Sequence, residues 1–401
     1  MAQPHIVIIH RWRDNYAEYA KYLDHNSYAV TYISTKVGLS SIPDDATAVS
    51  VVERTDDLRE VRSTIQSHIA SCGPPVGVVA LKEDDLLTAA RLREELGCPG
   101  PRHADLLLFR DKYLMCEAAR RAGLATPPCE PVEGPGGVRL FGDAHGWPVV
   151  VKPRVSSSSE GVVIVGSPQQ AGDIDFFDGR PRLVQAFDNR PIFHVDGVFT
   201  GSKLGPWKAS RYLNNCLDFR GGLMLGSVEQ DDPETVTTIG KFAARLLETL
   251  AAGPSVFHLE VFFADGECAL LETAARVGGA EIPFLWREVH GFDLMRAACD
   301  IQLGRDPRTD GGVGSDEVAG WLLAPAPIER PCLITEVTSM TGSGAAPYAE
   351  VIPSVGDVLP TADSYYEHVG GRFRFRGTTA KEVEASVTET ARAFRVRGRP
   401  M

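Results

Sequence analysis

Several absences limit what this chain of 401 residues can do. No window approaches the roughly 18 consecutive apolar residues of a membrane span, so no membrane association is expected. Basic residues are in deficit, 41 against 53 acidic, for a net charge of −12. A duplex-binding surface is therefore not expected, and nucleic acid is not an expected partner. The opening Met-Ala-Gln-Pro-His-Ile-Val-Ile-Ile-His has no basic region followed by a long apolar run. It reads as a first buried strand rather than a secretory signal. The eight cysteines, from Cys72 to Cys332, show no Cys-x-x-Cys or Cys/His ligand spacing. Reduced structural thiols in a cytoplasmic protein are expected. There is no G-x-G-x-x-G after the first strand, no G-x-x-x-x-G-K-[ST] and no G-x-S-x-G. Dinucleotide, Walker-type and nucleophile-elbow chemistry thus lack their usual signatures.

The length suggests two or three domains. Over the first hundred residues short apolar runs (Ile6–Ile9, Tyr28–Ile33, Ala48–Val52, Val76–Leu81) alternate with helical patterns at Asp57–Ile69 and Glu83–Leu96. This predicts an α/β domain with a parallel sheet. A helix is expected from Arg110 to Gly123, then a Gly/Pro-rich loop at Glu133–Gly137. Strands follow at 147–153, 162–165, 181–187 and 192–199, with a long amphipathic helix over 233–251. After Gly311-Gly-Val-Gly the chain turns to short strand-like runs, including Arg372-Phe-Arg-Phe-Arg376. Alternating Arg and Phe could stack bases, but in so acidic a chain it reads as a strand with one apolar and one charged face.

Two segments carry chemistry. In His258–Ala274, apolar residues flank a turn at Asp265-Gly266, so Glu260 and Glu272 fall on neighbouring strands of a hairpin. Adjacent carboxylates resist joint ionisation unless a cation lies between them, and Mg²⁺ suits such oxygen ligands. Two surface glutamates would give the same spacing. In the second segment Lys152 ends the apolar run Val149-Val-Val and is followed by Ser156–Ser159 and Gly161. Small residues, serine hydroxyls and a lysine make a phosphate cradle, although a polar hairpin loop would look similar.

Taken in order, Asp111-Lys112 opening a helix, Pro148-Val-Val-Val-Lys152-Pro153 with Ser159-x-Gly161, and Glu260…Glu272…Arg276-x-Gly278-Gly279 resemble the ATP-grasp carboxylate–amine ligases. The pattern is nearest to the L-amino acid ligase (dipeptide synthetase) and biotin-carboxylase-like branches. The resemblance covers roughly residues 1–310. It implies an N-terminal βαβ domain (1–105), an ATP-grasp domain (106–310, lid about 125–190) and a C-terminal β-rich domain (311–401). It further implies that Lys112 and Lys152 grip the ATP phosphates and that Ser156, Ser157, Ser158, Ser159 and Gly161 form a lid loop. The adenine hinge would run through Gln185, Ala186, Phe187 and Asp188, with Glu260 and Glu272 holding Mg²⁺ (two ions, Mn²⁺ as a substitute). Arg276 and Lys152 would be catalytic. His194, Asp196, Gly278, Gly279 and Trp286 would border the amino-acid pocket, with Arg287 nearby and His194 or His258 as candidate bases. A homodimer fits the resemblance as well.

The chain departs from the pattern twice. Ala274 stands where many members have an asparagine that assists the metals, and Gln185 where a hinge glutamate is common. The implied reaction is attack of a small carboxylate on the γ-phosphate of ATP, then capture of the acyl-phosphate by an amine, giving an amide, ADP and phosphate. A carboxylase-type relative making carboxyphosphate from bicarbonate, and an ATP-binding module without turnover, are the alternatives.

Overall fold

A computed structural model describes residues 3–311, 315–342, 346–361 and 365–401. The stretch Gly312–Gly314, where the sequence suggests a domain boundary, lies outside the described residues.

The chain starts with four parallel strands, β1 (His5–His10), β2 (Ala29–Ser34), β3 (Ala48–Val51) and β4 (Pro75–Ala80), in the order β3-β2-β1-β4. Every residue of β1 is buried, as expected of a strand covered on both faces. The helix Leu58–Cys72 is capped by the Asp57 carboxylate, which accepts from the Arg59 and Glu60 N–H groups. The helix Leu86–Leu96 ends on Gly97 at φ 68°, the left-handed stop read from the sequence.

A small antiparallel sheet follows, made of β5 (Cys129–Val132), β6 (Val149–Pro153), β7 (Val163–Val165) and β8 (Arg182–Ala186), in the order β5-β8-β6-β7. The segment after Glu133, expected as a loop, is instead the start of a helix, Pro135–His145. Gly134 caps it, Pro135 takes the first turn where its missing N–H costs nothing, and Val138 and Phe141 pack against Val149, Val151 and Val184. Burial of that face outweighs the poor helix propensity of Gly136 and Gly137.

The third layer is a long antiparallel sheet. Its strands are β9 (Ile192–Phe199), β10 (Leu204–Tyr212), β11 (Leu225–Glu229), β12 (Ser255–Ala264) and β13 (Glu267–Ala274). The C-terminal segment contributes β14 (Val318–Pro325), β15 (Cys332–Val337), β16 (Ala349–Val351), β17 (Val358–Leu359), β18 (Val369–Gly377) and β19 (Val396–Pro400). Among the described residues the order is β13-β12-β9-β10-β11-β14-β18-β16, with β17-β15-β19 as a separate small sheet. The helix Pro233–Leu250 lays Ile239, Ala243, Leu246, Leu247 and Leu250 on Val195, Phe257, Leu259 and Val261. Each such side chain contributes about 1.5–3 kcal/mol on full burial. In β18, Phe373 and Phe375 point into the core, while Arg372 and Arg374 on the other face meet Asp14, Glu281 and Glu288.

Candidate active site

Local contacts bring the two lysines together. Asp111 caps the helix Lys112–Arg121, accepting from the N–H groups of Tyr113 and Leu114. The same carboxylate receives Arg154 Nε and Nη2, and the Lys112 N–H donates to the Arg154 carbonyl at 2.9 Å. The end of β6 is thereby fixed to the start of this helix. Lys112 Nζ donates to the Ser156 carbonyl at 3.0 Å and lies 3.4 Å from Glu272 Oε2. Lys152 is buried on β6. Burial pushes its pKa below the usual lysine value, while the Glu272 charge opposes that shift.

Glu260 and Glu272 are direct partners across β12 and β13. The turn joining these strands has Asp265 at φ 52° and Gly266 at φ 79°, both left-handed, as a tight hairpin turn requires. The register shifts immediately after Glu260, an irregularity that can re-aim a side chain. Tyr212 Oη donates to Glu260 Oε1 at 2.8 Å, and His258 Nε2 lies 3.6 Å from the same oxygen. Burial alone would raise the Glu260 pKa; His258 and Tyr212 outweigh it and hold the carboxyl below its ordinary value.

These groups line a cleft of about 440 Å³ between the small sheet and the long one. Lys112, Lys152, Ser156, Ser157, Ser159, Gln185, Ala186, Phe187, Asp188, Glu260 and Glu272 all face it. Sequence reasoning missed its apolar walls, Val150 and Ile164 on one sheet and Phe262 and Leu271 on the other. Phe187 is 39% exposed, whereas Gln185 is buried with no hydrogen-bond partner for Nε2 among the described residues. Ser158 and Ser159 are left-handed at φ 53° and 56°, which curls the loop beside the cleft. Ser158 and Gly161 do not themselves line it; a Cβ at Gly161 would fall 2.9 Å from Pro153 Cγ.

Arg276 lies beside this cleft. It shares a cavity of about 10 Å³ with Glu83, Lys112, His258, Glu272 and Ala274. Its Nε and Nη2 are 2.8 and 2.6 Å from Glu83 Oε2. Burial would raise the Glu83 pKa, but Arg276, Arg110 and Lys112 bring it down to about 2. Glu83 was read from the sequence only as the opening of a helix.

His194, Asp196 and Trp286 line a different cavity, also of about 10 Å³. Asp196 accepts from Nδ1 of His194 at 2.6 Å and from Nδ1 of His258 at 2.8 Å, while His194 Nε2 meets Ser227 Oγ at 2.7 Å. Burial disfavours a charged ring, yet Asp196 and Glu260 hold the His258 pKa up at about 9. Gly278 is a packing requirement: a Cβ there would come within 2.4 Å of Asp196 Oδ1 and 2.9 Å of His258 Nδ1. Gly279 follows it, before the helix Ile282–Glu288. Arg287 donates to the carbonyls of Tyr16 and Asn15.

No family model matches the chain. It is 24% identical over 275 residues to an L-arginine-specific L-amino acid ligase of Bacillus subtilis, a match covering 65% of each chain. It is 27% identical over 201 residues to dapdiamide A synthase of Enterobacter agglomerans, covering 46% of each. The chain thus matches at most 65% of the length of these curated relatives. Over 100% of both chains it superimposes on the crystal structure of an L-amino acid ligase from Bacillus licheniformis, with a TM-score of 0.79 and 16% identity. The chain therefore has the ATP-grasp fold and is similar in sequence to the L-amino acid ligases of the carboxylate–amine ligase superfamily.

Proposed function

We propose that the chain is an ATP-dependent ligase that activates a small carboxylate, an amino acid, as an acyl-phosphate and joins it to the amine of a second amino acid. The observation that carries this reading is the in-register pair Glu260 and Glu272, set beside Lys112 at a cleft large enough for a nucleotide. The proposed domains are 1–105, 106–310 with its lid at about 125–190, and 311–401.

The donor set suits Mg²⁺, which prefers carboxylate oxygens. Both protein contacts to Glu260 fall on Oε1, so Oε2 has no protein partner among the described residues. When bound, Mg²⁺ neutralises charge on the terminal phosphates. The protein's own groups do the rest. Lys112 and Lys152 hold the phosphates, with Ser156–Ser159 and Gly161 as the loop over them. Val150, Ile164, Phe187, Phe262 and Leu271 enclose the purine, and the free Gln185 amide offers it a hydrogen bond. Arg276, oriented by Glu83, holds the reacting carboxylate and the oxygens of the acyl-phosphate, a fixed positive charge where negative charge develops. The carboxylate attacks the γ-phosphorus and ADP leaves; the amine then attacks the acyl carbon and phosphate leaves. His258 Nε2, 3.6 Å from Glu260 Oε1, supports that carboxylate, with Nδ1 held by Asp196. His194, Asp196, Gly278, Gly279 and Trp286 are the proposed border of the amino-acid pocket.

Ala274 supports a second reading, ATP binding without turnover, because no amide stands where a third metal contact is expected. A screen of amino-acid pairs for release of ADP and phosphate separates the two. Release that depends on amino acids supports the ligase; nucleotide binding with no release under any pair supports the binding module. Release that needs bicarbonate and ignores amino acids would favour carboxyphosphate formation.

A further inference from the structure

A second cavity, of about 310 Å³, opens at the carboxyl edge of the parallel sheet. The chain leaves β1 toward β2 on one side and returns as β4 on the other. The crevice beyond the ends of β1 and β4 is where open α/β sheets bind ligands. Arg11–Asp14 after β1 and Lys82 after β4 line it, and Val351–Pro353 with Val369–Arg372 of the C-terminal segment close it.

Three of its four cations are already neutralised. Arg11 is 2.7 Å from Asp84 and 3.3 Å from Asp85, Arg13 is 3.2 Å from Glu367, and Arg372 is 2.9 Å from Asp14. The Lys82 ammonium makes no hydrogen bond or ion pair among the described residues; its Nζ lies 5.5 Å from the centre of the Trp12 ring. A half-buried ammonium with no direct hydrogen-bond or ion-pair partner is costly: burial, Arg11 and Arg276 disfavour its charge and outweigh the opposing pull of Asp84 and Asp85. Lys82 directly precedes Glu83, the residue that holds Arg276 at the proposed reacting end of the site.

We propose that this cavity binds a carboxylate of an amino-acid substrate that takes no part in bond formation, with Lys82 as its counter-charge and Trp12 against its carbon skeleton. This rests on the ligase reading. One unpaired ammonium matches a single negative charge, hence a carboxylate rather than a phosphate dianion. Two sources share that chemistry: the side-chain carboxylate of an acidic acyl donor, and the α-carboxylate of the amine-side amino acid.

The test is calorimetric binding to the full chain with Mg²⁺ and a non-hydrolysable ATP analogue. One arm compares L-glutamate with L-glutamine; the other compares glycine with glycinamide. In the arm that identifies the source, the carboxylate-bearing probe binds more tightly to wild type. Lys82→Met weakens that probe by at least about tenfold and does not weaken its amide partner, while Lys82→Arg retains most of the preference. Binding of the ATP analogue serves as the folding control. Absence of binding by all four probes, equal binding within both arms, or a preference that survives Lys82→Met overturns the proposal. Turnover is measured in parallel. If no amino-acid pair turns over, the ligase reading fails, while the binding arms still decide the chemistry of the cavity.

Discussion

Arg276 presents both Nε and Nη2 to one oxygen of Glu83, at 2.8 and 2.6 Å, across 193 residues of sequence. The pair ties the loop after β4 to the residue proposed to hold the acyl-phosphate. Glu83→Gln would leave Arg276 and Arg110 without their shared partner. The expected loss is about 3–5 kcal/mol of stability, the range for breaking a buried ion pair, and roughly 10- to 100-fold in kcat/KM. Urea unfolding and steady-state kinetics measure the two effects. Unchanged kcat/KM would show that Glu83 does not position Arg276.

The same carboxyl predicts acid sensitivity. Its folded pKa, about 2, lies below the ordinary value of 4.5, so its stabilisation is complete above pH 4.5 and fades as pH falls toward 2. The stability gap between wild type and Glu83→Gln should therefore narrow from pH 5 toward pH 3. A gap independent of pH over that range contradicts the assignment.

Asp85 gives the opposite sign. Burial pushes its pKa up from 3.8 to about 6 against the pull of Arg11 and Thr55, and Oδ2 has no hydrogen bond among the described residues. The unfolded chain ionises this carboxyl more readily, so the cost develops as pH rises from about 4 to 6 and is complete above 6. Asp85→Asn should increase the unfolding free energy at pH 8 by roughly 1–3 kcal/mol, and gain little at pH 4. No difference in the increment between the two pH values would refute this.

Lys152 should show a trade between stability and function. Its ammonium is buried in β6 with a lowered pKa. Lys152→Met should stabilise the nucleotide-free protein by on the order of 1 kcal/mol while weakening ATP binding by about 100-fold or more. Thermal melts with and without Mg-ATP give both numbers. Wild-type ATP affinity in the variant would remove Lys152 from the site.

How much of this was legible in the sequence depended on sequence distance. The Glu260–Glu272 hairpin could be read because both strands and the Asp265-Gly266 turn lie within one short segment. The lysines could be read because each sits at the end of its own element. Glu83 could not, since its partner is remote and a glutamate opening a helix is ordinary. The helix from Pro135 was hidden by its glycines, because propensity weighed more in the sequence than the Val138–Phe141 face that drives it. Nothing local indicated that β14 and β18 extend the long sheet, or that β18 helps to close the Lys82 cavity.

The most direct measurement is release of ADP and phosphate from Mg-ATP across paired amino acids, by wild type and by Glu272→Gln with its fold verified. The account predicts release that depends on the amino acids in wild type and falls by at least about 100-fold in the variant, as expected when a metal-binding carboxylate is lost. Full activity in Glu272→Gln would contradict the proposed metal site, and with it the central claim.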